Sequence, residues 1–204
     1  MGHIICIMGR SASGKDTVYR HLLEDNPFGL RRIIPYTTRP IRSGEENGRE
    51  YFFCGEDQVK AFLEEGKIIE LRTYQTVAGP WSYFTADDGQ FEEEGDFLMI
   101  GTLESYCKMK SYFGEEKMVP IYITVDKGLL LSRALSREMK QREPNYAELC
   151  RRFLADEKDF STEKMQEAGI KKEFVNMDLQ ETLAEITEYL GDILGKREVK
   201  LYEK

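Results

Sequence analysis

Gly9, Gly14 and Lys15 stand at the spacing G-x-x-x-x-G-K, in the run Gly9-Arg10-Ser11-Ala12-Ser13-Gly14-Lys15. Glycines at both ends permit backbone angles that a Cβ would block. Successive N–H groups can then turn inward toward phosphate oxygens. A helix opening at that point adds partial positive charge, and the lysine reaches the β- and γ-phosphates. The apolar run Ile4-Ile5-Cys6-Ile7-Met8 precedes the loop, and residues 16–23 read as a helix. That context separates it from an ordinary strand-to-helix turn with a solvated lysine. Gly9, Ser11, Ala12, Ser13, Gly14, Lys15, Asp16 and Thr17 are therefore expected to hold the phosphates of a nucleoside triphosphate. The usual Ser or Thr after the lysine is replaced by Asp16, with Thr17 next. A carboxylate is also a hard oxygen donor for Mg²⁺, which makes Asp16 and Thr17 the candidate metal ligands. Asp16 fits equally as a first-turn acidic residue favoured by the helix dipole.

A second concentration of chemistry lies between Tyr36 and Phe53. Arg39, Arg42 and the Tyr51 hydroxyl suit a phosphate dianion, because arginine bonds its oxygens in pairs and tyrosine adds a donor. An exposed basic loop is the other reading of the same residues.

The elements that must position these groups alternate. Strands are expected at 3–8, 30–34, 51–53, 67–74, 82–84, 97–100, 119–125 and 173–175. Helices are expected at 16–23, 56–65, 85–94 (Thr85 as N-cap), 104–113, 127–141, 145–168 and 178–194. Asn145 with Glu148, and Asp178 with Glu181, are placed as capping boxes. The tail from Lys196 is charged and expected to be loosely held. Strands alternating with helices predict an α/β fold built on a parallel sheet flanked by helices. Residues 36–85 break that rhythm and read as an inserted binding piece. The divisions expected are a loop-bearing core (1–35, 86–126 and 169–195), the insert (36–85) and a helical lid region (127–168).

The segment from Thr37 reads T-T-R-x-x-R-x-G-E-x-x-G-x-x-Y-x-F, and the loop reads G-x-S-x-S-G-K. Both resemble the guanylate kinase family, P-loop nucleoside monophosphate kinases, and the order of segments fits from Ile4 to about Leu190. The resemblance implies transfer of the ATP γ-phosphate to a nucleoside monophosphate, GMP first, with ATP and Mg²⁺ bound. It implies that Arg39, Arg42 and Tyr51 grip the acceptor phosphate. It makes Glu70 the reader of guanine, since a carboxylate can accept from N1–H and N2–H₂ together. By the same match Tyr83 contacts the acceptor phosphate, Thr85 the base, and Asn176 lies near the adenine. Arg133, Arg137 and Arg152 fall near the family's lid arginines, which join Lys15, Arg39 and Arg42 in neutralising the transferring phosphoryl group. Read from the residues alone, those helix arginines are equally solvated partners of nearby glutamates.

The chain departs from the pattern in two places. Pro35 occupies the position of a serine donor to guanine O6, and Met99-Ile100-Gly101-Thr102 replaces a D-I-D-M-type segment. Both leave the phosphate grip intact and thin the base-reading part. Two further readings therefore stand beside the first. One is a P-loop kinase for another phosphorylated acceptor such as a ribose bisphosphate, since a Gly-Lys-Asp-Thr loop resembles that related branch. The other is a guanylate-kinase-like binding module without catalysis.

Over 204 residues the net charge is −8, which argues against a general nucleic-acid binder. Small-molecule nucleotides are the expected partners, with a monomer or homodimer and no membrane contact. The four cysteines form no C-x-x-C pair and the two histidines add no metal spacing. Scattered thiols suit a reducing, cytoplasmic setting. The opening residues read as a buried strand rather than a signal peptide.

Overall fold

The computed structural model describes residues 2–42, 44–76 and 79–195. The expectation for the tail from Lys196 lies outside these residues. Ile4–Gly9 (β1) is buried at every position, so it must be covered on both faces, as in a parallel sheet. It pairs in parallel with Phe97–Ile100 (β7) on one side and Met118–Thr124 (β8) on the other. Arg31–Arg32 (β2) and Glu173–Val175 (β9) complete a sheet in the order β2-β7-β1-β8-β9. Side chains of β1 alternate between two cores. Ile4, Cys6 and Met8 pack with Leu103, Tyr106 and Met109 of Leu103–Phe113 (α3) and with Met165 of Thr162–Glu167 (α6). Ile5 and Ile7 pack with Val18 and Leu22 of Lys15–Glu24 (α1) and with Leu183, Ile186 and Leu190 of Leu179–Leu194 (α7).

A second sheet, ordered β4-β3-β6-β5, is built from Tyr36–Thr37 (β3), Phe52–Phe53 (β4), Ile68–Thr76 (β5) and Gly79–Ala86 (β6). Its own small core is Tyr36, Phe84 and Ala86, packed with Val59 and Phe62 of Glu56–Glu64 (α2). Lys127–Glu138 (α4) and Tyr146–Asp159 (α5) stand between β8 and α6. Among the described residues no helix is long and apolar enough to cross a membrane.

Several elements differ from the sequence reading. No helix forms at 85–94. Thr85 and Ala86 end β6, paired to Glu70 and Ile68. Asp88 then accepts from the Gln90 N–H and from the Tyr36 hydroxyl, the local bonding by which aspartate diverts a chain from helix. The short strand at 82–84 extends to Gly79–Ala86, and the strand Tyr36–Thr37 lies in a stretch read as turns. The helix expected over 145–168 breaks after Asp159: Phe160 is buried and stacked on Tyr122, and Ser161 caps α6. Asn145 caps α5 by accepting from the Glu148 N–H, but the box is not reciprocal. The Glu148 carboxylate goes to Arg151 and Arg152, and the Asn145 N–H goes to Glu138.

Candidate functional site

The loop after β1 lies at the carboxyl end of the parallel sheet, where open α/β sheets place ligands. Gly14 has φ +92°, and a Cβ there would fall on Asn176 Nδ2. A Cβ on Gly9 would fall on the Ile123 carbonyl and 2.7 Å from Ser13 Oγ. Ala12 also takes a positive φ, +66°. Asn176 Nδ2 donates to the Ser13 carbonyl at 2.7 Å, and Arg133 Nη2 donates to the Asn176 carbonyl at 3.2 Å. Asn176 and Arg133 thus brace the loop from behind. The buried Ser13 hydroxyl has no hydrogen-bond partner among the described residues. That orphan hydroxyl, in a loop with no room for a Cβ at its two glycines, fits a polyphosphate. Lys15 Nζ lies 3.6 Å from Asp16 Oδ2, and the Asp16 side chain is 77% exposed. Asp16 and the Thr17 hydroxyl are oxygen donors of the kind Mg²⁺ takes.

Helix α5 reaches the same loop. Ser11 N–H donates to Asp156 Oδ2 at 2.6 Å. Arg10 donates to the Tyr122 hydroxyl and the Phe160 carbonyl, and its Nε lies 2.8 Å from Glu157 Oε1.

A cavity of about 680 Å³ opens between α1 and the second sheet. Asp16, Arg39, Arg42, Tyr51 and Tyr83 line it, together with Pro35. Arg39 is 4% exposed and is held bidentately by Glu45, at 2.8 and 2.9 Å. Its guanidinium also lies over the rings of Tyr51 and Phe53, 5.4 Å from each centroid. The Arg39 hydrogen bond, with help from the Arg42 N–H, holds the Glu45 carboxyl below the usual carboxylate range. Burial alone would lower the Arg39 pKa, but Glu45 and Tyr83 raise it above the ordinary guanidinium value. Burial pushes the Tyr51 phenol up, so it stays a neutral donor.

Arg42 also lines a second cavity, of about 570 Å³, with Ser11, Arg137, Arg152 and Asp156. Arg152 Nε donates to Glu148 Oε1 at 2.8 Å, and Arg151 and Arg152 together pull the Glu148 carboxyl down to about 2. Arg133, expected from the sequence as a lid arginine, turns instead to the Asn176 carbonyl.

Glu70 is 2% exposed. It accepts from Arg72 Nε and Nη2 at 2.9 and 3.2 Å and from Thr85 Oγ1 at 3.1 Å. Thr85 is therefore a partner of Glu70. Arg72, Glu45, Asp156 and the Arg20 and Arg32 side chains that also line the larger cavity are not among the site residues expected from the sequence. Arg72 had a legible signal, because two residues along a strand return to the same face.

The parallel sheet flanked by helices and the loop opening α1 define an α/β fold of the P-loop type. Residues 1–79 match the family model for guanylate kinase. The chain is similar to the guanylate kinase of Ruegeria pomeroyi, at 42% identity over 84 residues, 39% of each chain. It is also similar to that of Caldanaerobacter subterraneus subsp. tengcongensis, at 32% identity over 115 residues, 56% of this chain and 54% of the other. The matched stretches thus cover about two-fifths to one-half of these relatives. The crystal structure of guanylate kinase from Anaplasma phagocytophilum shares the fold over 96% of this chain and 87% of its own, with a TM-score of 0.65 at 18% identity.

Proposed function

We propose that this protein transfers the γ-phosphate of ATP to a nucleoside monophosphate, GMP in the first place, giving ADP and GDP. The observation that carries the proposal is the position of Arg42. It lines both the cavity that runs from Asp16 to Arg39 and the one that holds Ser11, Arg137 and Arg152. A cation shared by a donor side and an acceptor side suits a phosphoryl group in flight between them. In this reading residues 1–35, 86–126 and 169–195 form the donor-binding core, 36–85 the acceptor insert and 127–168 the lid.

The acceptor phosphate oxygen is already nucleophilic, so alignment and charge neutralisation do the catalytic work. The loop N–H groups and Lys15 hold the ATP phosphates, with Gly9 and Gly14 shaping the loop and Asn176 bracing it. Arg39, Arg42, Tyr51 and Tyr83 hold the acceptor phosphate. Arg137 and Arg152 approach the transferring group from the lid, whose closure excludes water. Arg133 contributes through Asn176. Mg²⁺ supplies charge neutralisation between the phosphates when bound, and Asp16 and Thr17 are the donors that would hold it. The four free thiols suit a reducing cytoplasm.

Steady-state assays with ATP·Mg²⁺ and each of GMP, dGMP, AMP, UMP and CMP test the proposal. Transfer to GMP is expected. No transfer to any of the five would remove it.

A further inference from the structure

We propose that Arg72 sets the acceptor selectivity of this protein: it holds the hydrogen-bonding edge of Glu70 and so removes a strong preference for guanine. The inference rests on the phosphoryl-transfer reading of the acceptor cavity. Glu70, Arg72 and Tyr74 share one face of β5 by strand alternation. Their ladder partners Thr85, Tyr83 and Trp81 lie on the same face. Tyr83 is a wall of the cavity that contains Arg39 and Arg42. Glu70 sits one rung along from it on the same face, and in this reading it meets the base of a nucleotide whose phosphate meets those arginines.

An ionised carboxylate offers about four acceptor directions. Three are taken on Glu70, by Arg72 Nε, Arg72 Nη2 and Thr85 Oγ1. Guanine needs two, for N1–H and N2–H₂ together, and only one is left. Adenine can donate one bond through its amino group, so the remaining direction serves both purines alike. Arg72 is itself anchored. Its Nη1 donates to Thr102 Oγ1 at 3.1 Å, and Tyr74 is a further hydrogen-bonding partner. The pair is nearly dry, with side-chain exposures of 1% for Glu70 and 13% for Arg72. Separating it to admit a base would leave a buried charge unpaired, a costly exchange for two new hydrogen bonds. Pro35, on the cavity wall, adds no donor of its own.

The test is equilibrium titration of GMP and of AMP into the full chain, its Arg72→Ala variant and its Glu70→Gln variant, with folding checked by cooperative thermal melts. The unaltered chain is expected to prefer GMP by less than about tenfold, and Arg72→Ala to raise that preference at least about tenfold by freeing the Glu70 edge. Glu70→Gln is expected to change the ratio by less than about threefold. A stronger initial preference, a smaller rise in Arg72→Ala, a larger effect of Glu70→Gln, or no binding of either nucleotide overturns the proposal. If Arg72→Ala does not fold, the initial ratio and Glu70→Gln decide. Turnover is scored separately. No transfer to any nucleotide counts against the phosphoryl-transfer reading, while the binding ratios still decide the role of Arg72.

Discussion

Arg39 and Glu45 are already paired at the end of the site proposed for the acceptor. A guanidinium this buried needs a partner, and Glu45 supplies two hydrogen bonds while the rings of Tyr51 and Phe53 flank the cation. Glu45→Gln leaves Arg39 without its counter-charge and is expected to cost roughly 1–3 kcal/mol of stability at pH 7. The pH dependence follows from the lowered Glu45 pKa. A carboxyl whose folded value is depressed stabilises the protein above its unfolded value, about 4.3, and loses that contribution as the pH falls through the folded value. Thermal melts of the two proteins should therefore differ most at neutral pH and converge below about pH 4.3. A difference that stays constant well below that pH would contradict the ion-pair account. A phosphate-bearing nucleotide should narrow the gap at pH 7, because it supplies Arg39 with a new anion.

At the scale of elements, the loop is braced rather than free-standing. Asn176, just after β9, ties the Ser13 carbonyl, and α4 ties Asn176 through Arg133. Asn176→Ala removes the tie. It is expected to cost about 1–2 kcal/mol of stability and to weaken ATP binding by more than the binding of GMP. Calorimetric titration with each nucleotide checks this, and an equal loss for both would contradict it. Much of this arrangement was legible in the chain. The unbroken apolar run of β1 and the glycines at positions 9 and 14 are local signals, and they placed the loop at a strand end. Arg39, Arg42 and Tyr51 lie within one short segment and could be grouped by eye. What was not legible depended on partners far along the chain. Residues 85–94 carry a helix-like composition, but the pairing of β5 with β6 and the turn at Asp88 decide their shape. The break at Phe160 reflects its stacking on Tyr122, which no local pattern encodes. The occupation of Glu70 by Arg72 depends on side-chain rotamers, and strand periodicity gives only the shared face.

At the scale of the whole molecule, an acidic chain with a net charge of −8 lines its two cavities with Arg39, Arg42, Arg137 and Arg152. Lys15, Arg39, Arg42, Arg137 and Arg152 come from α1, the segment after β3, α4 and α5, so the proposed site depends on four parts of the chain held together. The contacts of Arg10 with Glu157 and of Ser11 with Asp156 show how closely α5 approaches the loop. Such an arrangement should move a phosphoryl group between bound partners rather than release it to water. The most direct test follows the label from γ-labelled ATP in the presence of Mg²⁺ and GMP, for the unaltered protein and for Lys15→Ala. The account predicts label in GDP, little in free phosphate, and a fall of about a hundredfold or more in the rate for Lys15→Ala. Label released only as free phosphate, or transfer that is indifferent to Lys15, would contradict it.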